Sequence, residues 1–246
     1  MEKYFEKLYK GSRGELFALM RDALESGKKE FVVTANPETF MIGTQNPEFD
    51  ALLKRDTTRI IPDGIGVVKG AAMLGLDVSE RIPGIEFVSY LFEEGSKMGK
   101  SVYLYGAKPE VLEKMCEMLS DKYQGLVIAG MHDGYSGDPD AIFSDILAKE
   151  PDIVLVALGI PKQELLIGRH LEQAGKGIFV GVGGSFDVLS GMKQRAPKFF
   201  IDHNLEWFYR IIKEPKRFKR FYSSNVKYIA EIKRLQRGRG GAGHGE

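Results

Sequence analysis

The sequence is poor in residues that bind metals or form cross-links, with one cysteine and four histidines among its 246 residues. The lone Cys116 excludes an intrachain disulfide and a cysteine-based metal cage. Its helical spacing from Leu112, Met115 and Leu119 predicts a buried thiol. The histidines are scattered without the spacing of metal ligands, so no metal cluster is predicted.

Long apolar runs and a large net charge are also absent. No stretch reaches the ~18 uninterrupted apolar residues that a membrane span needs, and the amino-terminal segment MEKYFEKLYKGSR lacks the hydrophobic region of a signal peptide. We therefore expect a cytoplasmic protein. The formal net charge of +1 argues against nucleic acid as a partner. The phosphate loop GxxxxGKS/T, the nucleophile elbow GxSxG and the zinc motif HExxH are missing as well.

What is present is an alternation of short β-rich runs and helical patterns. Several runs are apolar on both faces, as in strands buried in a parallel sheet, and the segments between them have helical periodicity. This order predicts an α/β fold over residues 1–197, with a Rossmann-like, open, mostly parallel sheet and helices on both faces. The predicted strands are 31–34, 58–61, 102–105, 126–129, 153–158 and 177–182, and the predicted helices are 84–98, 109–122, 141–149 and 163–173.

The chain changes character after Pro197. Aromatic and aliphatic residues are interleaved there with Lys and Arg, which predicts an amphipathic helical appendage over 198–236, broken near Pro215. Between positions 198 and 239 there are 12 Lys or Arg residues against 4 Asp or Glu residues. Residues 237–246 have too little apolar content to order themselves and are predicted to form a disordered tail.

Polar side chains follow the first two predicted strands. After the first, Asn36 either caps the helix that Pro37 begins or joins Thr34 in a site for phosphate or sugar hydroxyls. After the second, Asp63 in the segment PDGIG is either a turn or cap residue or a general base for an acceptor hydroxyl. Ligands of parallel sheets bind beyond the carboxyl ends of the strands, so these positions are the first candidates for a site.

Later loops supply further candidates. Arg81 precedes a helix that begins near Pro83, which suits bidentate binding of a diphosphate, although a solvated surface arginine is the alternative. Gln163 lies in the loop GIPKQE after the most apolar strand, and such loops often face ligands. The glycine-rich turn GVGGSFD, which ends at Asp187, lets backbone approach a nucleotide closely and leads to Arg195 in KQRAP. We predict that Asp187 and Arg195 also bind substrate.

Two further patterns receive structural interpretations. Gly64, Gly66 and Gly70 loosely match a dinucleotide-binding fingerprint, but three residues rather than two separate the last pair, so the match is discounted. The DPD triplet at 138–140 has the form that binds a divalent cation in some enzymes. Its place directly before a helix predicts helix capping instead.

Taken together, these segments resemble the WecG/TagA/CpsF family of bacterial glycosyltransferases. The matches run in order from residue 32 to residue 220, which is more specific than any single loop. The matching segments are VVTANPE at 32–38, PDGIG at 62–66, RIPG at 81–84, YGAKPEV at 105–111, GIPKQE at 159–164, GVGGSFD at 181–187, KQRAP at 193–197 and LEWFYRIIKEPKRFKR at 205–220. The family pattern usually has Gly where this chain has Asn204.

The resemblance implies an inverting glycosyltransferase. It would move N-acetylmannosamine, or a related sugar, from a UDP-sugar to undecaprenyl-diphosphate-linked N-acetylglucosamine in the synthesis of wall teichoic acid or another surface polysaccharide. The implied catalytic residues are Asp63, as base, and Arg81, with Thr34, Asn36 and Gln163 around the sugars and phosphates. No metal or other cofactor is expected. The appendage arginines implied to close over the diphosphate are Arg210, Arg217 and Arg220.

The appendage also bears on location and partners. Its aromatic and basic residues suit peripheral contact with anionic lipid on the inner face of the cell membrane, where the acceptor is anchored. The alternative is a helix pair packed on the domain or across the boundary of a homo-oligomer. Two other functions stay open: a nucleotide-binding regulatory protein that has lost the chemistry, and an NAD-dependent dehydrogenase, which the broken glycine fingerprint disfavours.

Overall fold

The computed structural model of the protein describes residues 1–215 and 217–241, without the side chains of residues 217, 219–221 and 239–241. Its centre is a six-stranded sheet in the order β2-β1-β6-β5-β3-β4, in which every pairing is parallel. The strands are β1 (Glu30–Ala35), β2 (Thr58–Pro62), β3 (Ser101–Gly106), β4 (Val127–His132), β5 (Ile153–Ala157) and β6 (Ile178–Gly181). The predicted α/β fold is confirmed.

Helices connect and cover the strands. They are α1 (Glu2–Glu6), α2 (Arg13–Ser26), α3 (Pro37–Gln45), α4 (Pro47–Lys54), α5 (Ile65–Met73), α6 (Gly84–Lys97), α7 (Pro109–Lys122), α8 (Pro139–Ala148), α9 (Lys162–His170), α10 (Ser185–Leu189), α11 (Lys198–Asp202), α12 (Glu206–Lys213) and α13 (Arg217–Gly241), with a 3-10 turn at Leu171–Gln173. The four helices predicted from periodicity all form.

Each face of the sheet has its own hydrophobic core. Successive residues of a strand point to opposite faces, so Phe31 and Val33 of β1 enter one core and Val32 enters the other. The first core is covered by α1, α3, α4, α5, α8 and α9, and the second by α2, α6, α7 and α10. Helices therefore lie on both faces, as predicted. The first core also takes in Tyr228 and Ile232 of α13.

Local capping explains where several helices begin. The Asn36 side chain accepts a hydrogen bond from the Thr39 amide, and the Thr39 side chain accepts one from the Asn36 amide, which forms a capping box at α3. Asp138 accepts from the Ala141 amide at the start of α8. The cap at Asn36, one of the two interpretations that the sequence left open, and the predicted capping by the DPD triplet are therefore confirmed.

Cys116 departs from its prediction because it is half-buried rather than buried. It lies on α7, which packs beside the edge strand β4. Its Sγ is 3.4 Å from the sulfur of Met131, a side chain that is 47% exposed. The spacing predicts the helix, but it does not reveal that the neighbouring strand is at an edge of the sheet.

The carboxyl-terminal segment is helical, with a break between α12 and α13 that spans the predicted position, Pro215. Helix α13 packs on α3 and α5. It extends to Gly241, so residues 237–241 are helical where composition predicts no order; adding residues to an existing helix costs far less than starting one. Residues 242–246 lie outside the described part of the chain. Within the described part, no helix is both long and apolar enough to cross a membrane.

Candidate active site

The predicted site residues that follow strands meet at one edge of the sheet. Strand β1 lies between β2, which comes next in the chain, and β6, which comes last. A reversal of this kind leaves a crevice beyond the carboxyl ends of the strands, where open α/β sheets bind ligands. Thr34 lies near the end of β1, Asp63 follows β2 and Gly183 follows β6. Residues far apart in the sequence are thus brought to the same crevice.

Asp63 is held at the start of α6. Its amide donates to the carbonyl of Ala35 at 3.0 Å, which ties the turn to the end of β1. Its Oδ1 accepts a hydrogen bond from the Gly84 amide at 2.9 Å. The side chain is half-buried, and its carboxylate accepts from the first amide of α6 although it is not the N-cap residue of that helix. Asp63 is thus a turn residue after β2, and its role as a general base stays a prediction.

The surroundings of Asp63 raise the pKa of its carboxyl group. Burial is the largest cause and favours the neutral acid. The positive charges of Arg81 and Arg210 and the Gly84 amide act in the opposite direction, while the negative charge of Glu206 adds to the rise. A carboxylate with a raised pKa is a stronger base than an exposed one. Asp63 is thus suited chemically to accept a proton.

Arg81 bridges Asp63 to the carboxyl-terminal helices. Its Nε donates to the Asp63 carbonyl at 2.5 Å, its Nη2 to Oε2 of Glu206 at 2.5 Å and its Nη1 to Oδ1 of Asn204 at 3.4 Å. Protein acceptors thus engage three of its five N–H donors. Arg81 is not a solvated surface arginine. Any contact with a diphosphate has to use its other donors or replace one of these partners.

Glu206 is a site residue that the sequence analysis missed. Its side chain is 7% exposed, and Nε of Arg195 lies 3.5 Å from its Oε1. Burial opposes ionisation, but the hydrogen bond from Arg81 and the charges of Arg81, Arg195 and Arg210 outweigh it and lower the pKa of Glu206. The available signal was a carboxylate between two apolar residues, Leu205 and Trp207, in a strongly basic segment.

Asn204, the departure from the family pattern, has a left-handed backbone with φ of +57°. Glycine adopts this conformation freely, and asparagine tolerates it better than most residues. The substitution therefore keeps the turn before α12. It also supplies the side-chain oxygen that accepts from Arg81.

Thr34 and Asn36 line the turn that carries Asp63. The Thr34 hydroxyl donates to the Gly181 carbonyl at 3.5 Å, which links the ends of β1 and β6. A Cβ on Gly64 would lie 2.9 Å from Cβ of Asn36. Glycine at that position therefore lets the Asp63 turn close against the start of α3. Asn36 thus lies against Gly64, and Thr34 lies beside Gly84, whose amide binds the Asp63 carboxylate. The predicted contact of Thr34 and Asn36 with substrate stays a prediction.

Gln163 is buried, with 1% of its surface exposed. Its Oε1 accepts from the amides of Gly159 and Gly183, each at 3.1 Å, and its Nε2 donates to Oε1 of Glu164 at 2.7 Å. These bonds fasten the loop after β5 to the loop after β6. Gln163 shapes the crevice by holding its two loops, and the predicted contact with substrate stays a prediction.

Glu164 is a second residue that the sequence analysis did not single out. It is 1% exposed, and its Oε2 has no hydrogen-bond partner among the described residues. Burial raises the pKa of this carboxyl to about 7. The sequence signal was only its place after Gln163 in the loop segment GIPKQE.

Asp187 and Arg195 engage protein partners. Lys193 lies 2.9 Å from the Asp187 carboxylate and 3.2 Å from that of Glu214. Nη2 of Arg195 donates to Oε1 of Glu86 at 2.8 Å. The KQRAP segment therefore joins α6 and α10 to the end of α12. The predicted roles of Asp187 and Arg195 in substrate binding stay predictions.

The three arginines predicted to close over the diphosphate lie on α12 and α13. Arg210 is exposed on α12. Its positive charge opposes the rise in the pKa of Asp63 and contributes to the lowered pKa of Glu206, so it lies at the site. Arg217 and Arg220 belong to α13, but their side chains lie outside the described part of the structure.

The glycine series after Asp63 receives a new explanation. The Tyr228 hydroxyl donates to the Gly66 carbonyl at 3.1 Å, and a Cβ on Gly70 would overlap that hydroxyl. Gly70 leaves space for a side chain of α13, which agrees with the earlier rejection of a dinucleotide fingerprint. The interpretation as an NAD-dependent dehydrogenase loses its remaining motif.

A cavity of about 410 Å³ lies at the amino-terminal ends of β1 and β2, opposite the crevice. The cationic side chains that line it already have protein partners. Arg59 pairs with Glu30, and Lys29 donates to the carbonyls of Leu171 and Ala174. Among the residues with described positions, no group of three or more His, Cys, Asp or Glu side chains could hold a metal ion. The crevice beside Asp63 is therefore the candidate site.

Comparison with known proteins follows the same segments. The model of the glycosyl transferase WecG/TagA/CpsF family matches residues 7–240. Three similar proteins are each called N-acetylglucosaminyldiphosphoundecaprenol N-acetyl-β-D-mannosaminyltransferase. That of Bacillus spizizenii W23 is 39% identical over 87% of this chain and 82% of its own, and that of Bacillus subtilis 168 is 40% identical over 74% and 75%. That of Staphylococcus aureus MW2 is 34% identical over 87% and 84%.

Proposed function

Because the chain belongs to the WecG/TagA/CpsF family of glycosyl transferases, we propose that it moves an N-acetylmannosamine-type sugar from a UDP-sugar to undecaprenyl-diphosphate-linked N-acetylglucosamine. The names of the three relatives support both the sugar and the acceptor. A role in wall teichoic acid or a related surface polysaccharide is part of the proposal, because the resemblance to the family implies it.

The observation that carries the proposal is the Asp63 carboxylate beside the crevice, with a raised pKa and two arginines near it. The acceptor hydroxyl must lose a proton as it attacks C1 of the sugar, and Asp63 takes that proton. One displacement at C1 inverts the anomeric centre. An in-line displacement of this kind requires the base on the side of the acceptor, opposite the departing diphosphate.

The departing UDP gains negative charge as the bond to C1 breaks. Arg210, with the free donors of Arg81, offsets that charge in the transition state. Arg217 and Arg220 are proposed to join them from α13. With guanidinium groups in this role the reaction needs no metal, so we expect full transfer in the presence of EDTA.

The test is transfer of a radiolabelled sugar to a short-chain lipid diphosphate N-acetylglucosamine acceptor, using a panel of UDP-sugars. Asp63→Asn should lower kcat by about 10²–10⁴, the usual contribution of general base catalysis. Thermal shift with UDP, and with NAD as the comparison ligand, should show that the variant still binds UDP. Asp56→Asn, at the other end of β2, is the matched control. Near-normal transfer by Asp63→Asn would refute the assignment of the base.

We also propose that the carboxyl-terminal helices contact the cytoplasmic face of the membrane. Exposed apolar side chains in this segment support it: Phe199, Trp207, Phe208, Ile212, Phe218, Val226 and Ile229 are each 40% exposed or more. They stand among lysines and arginines, as in interfacial helices that bind anionic lipid.

Flotation on vesicles tests this contact. The full chain should float with vesicles that contain phosphatidylglycerol and should float less with vesicles of phosphatidylcholine alone. Phe208→Glu combined with Ile212→Glu should abolish flotation, whereas Tyr135→Glu, at an exposed aromatic outside these helices, should not. If the full chain stays in the vesicle-free bottom fraction when anionic vesicles are present, the proposed membrane contact is wrong.

A further inference from the structure

The turn that carries Asp63 is held at two carbonyl groups. Nε of Arg81 donates to the carbonyl of Asp63 itself. The Tyr228 hydroxyl donates to the carbonyl of Gly66, three residues later. Both contacts depend on the carboxyl-terminal helices, since Tyr228 belongs to α13 and Arg81 is paired with Glu206 of α12. The two ends of the turn are therefore tied to two different helices of the same segment.

The two contacts are buried. Tyr228 is 3% exposed and Glu206 is 6% exposed, although both lie in helices with many exposed residues. The Tyr228 ring packs 6.4 Å from the ring of Phe5 and occupies the space left by Gly70. A second hydrogen bond joins the same two helices, because Gln236 of α13 donates to the carbonyl of Met73 at the end of α5.

An ion-pair chain extends the Glu206 contact into the domain. Arg195 lies between Glu206 and Glu86, and Glu86 also binds Arg13 at 2.8 Å. Glu206 is therefore held by Arg195, and its carboxylate in turn fixes the orientation of the Arg81 side chain. Movement of α12 away from the domain would leave a buried guanidinium without this partner, which is unfavourable.

We propose that Glu206 and Tyr228 are positioning residues, which hold the Asp63 turn from its two ends so that docking of the carboxyl-terminal helices places the base. The inference rests on the proposed function, since it concerns the base of that reaction. Neither residue has to touch substrate. Glu206 acts through Arg81 on the Asp63 carbonyl, and Tyr228 acts on the Gly66 carbonyl.

Hydrogen exchange measured by mass spectrometry tests the structural part without using activity. Tyr228→Phe keeps the ring and removes only the hydroxyl, and Glu206→Gln keeps the shape and removes the charge. Peptides covering 62–70 should exchange at least about threefold faster in each variant, while peptides of β3 and β5 keep their rates. Tyr222→Phe, at an exposed residue of α13, and Glu231→Gln, at a half-buried residue of α13 that pairs with Arg234, are the matched controls.

Kinetics test the functional part. Each variant should lower kcat roughly tenfold and change KM for the UDP-sugar less than about twofold, because misplacing a base affects the chemical step rather than ground-state binding. The charged groups around Asp63 are Arg81 and Arg210, both positive, and Glu206. Removing the negative charge in Glu206→Gln should therefore move the acid limb of the kcat profile to lower pH, whereas simple loss of folded enzyme would leave the limb in place.

Unchanged exchange at 62–70 in both variants would overturn the proposal, whatever the activity. So would kcat values within twofold of wild type. If Glu206→Gln does not fold, Tyr228→Phe decides alone. Failure of the proposed function is seen separately, as full transfer by Asp63→Asn, and does not alter the exchange result.

Discussion

Replacing Glu164 by glutamine should remove a pH dependence from the free energy of unfolding. The Glu164 carboxyl is 1% exposed and has one oxygen without a hydrogen-bond partner among the described residues. Burial raises its pKa from the ordinary value of 4.5 to about 7. Between these values the folded chain holds a proton that the unfolded chain releases.

The sign and size follow from that difference. The stability that the protonated Glu164 carboxyl retains in the folded chain is fully present below pH 4.5 and is lost as the pH rises through about 7. The pKa difference corresponds to about 3 kcal/mol of unfolding free energy. Glu164→Gln is neutral at every pH, and its oxygen can still accept from Gln163. We expect the variant to be within about 1 kcal/mol of wild type at pH 4.5 and about 3 kcal/mol more stable than wild type at pH 8.5.

Urea denaturation followed by far-ultraviolet circular dichroism measures this between pH 4.5 and 8.5. The quantity of interest is the difference between wild type and Glu164→Gln, because the other titrating groups then cancel. Glu113→Gln, an exposed carboxyl on α7, is the matched control. A difference between wild type and Glu164→Gln that stays constant over this range would refute the reasoning.

Three further predictions concern the turns around the site. Asn204→Gly should stay within about 1 kcal/mol of wild type, whereas Asn204→Val should lose about 1–3 kcal/mol in calorimetry, because a β-branched residue is strained at positive φ; equal stability of the two would contradict this. Asn36→Asp should keep the helix cap and the melting temperature but raise KM for the UDP-sugar, while Asn36→Ala should also lose about 1 kcal/mol of stability; an unchanged KM in both would remove Asn36 from the binding site. Gly70→Ala should cost about 1–3 kcal/mol through overlap with Tyr228, and the cost should shrink in a Tyr228→Phe background, since the hydroxyl is the overlapping atom; a purely additive double variant would show that the two do not meet.

The sequence predicts where the candidate site residues lie better than it predicts their contacts. Parallel sheets bind ligands beyond the carboxyl ends of their strands, and Thr34, Asn36 and Asp63 lie near the ends of β1 and β2, while their roles stay predictions. Gln163 was expected to face a ligand, but it is buried between two loops. A polar residue in a strand-end loop has the same local signal in either case, so its burial could not be predicted.

Glu206 and Tyr228 were missed for a related reason. Both lie in an amphipathic helical pattern, where a carboxylate or a tyrosine is ordinary. What sets them apart is the partner, which is 125 positions away for Arg81 and Glu206 and 162 positions away for Gly66 and Tyr228. Gly70 carried a visible signal as one of a glycine series, but its use became clear only from the side chain that fills the space above it.

The sequence by itself determined the α/β class, the approximate position of the six strands and the helix cap at Asp138, and it offered the cap at Asn36 as one of two interpretations. These features depend on periodicity and on hydrogen bonds between residues a few positions apart, which any window of the chain contains. Only the tertiary structure decided which loops share the crevice and which helix partners the Asp63 turn. Those contacts depend on the strand order β2-β1-β6-β5-β3-β4 and on where α12 and α13 dock, and both are set by packing between distant segments rather than by local pattern.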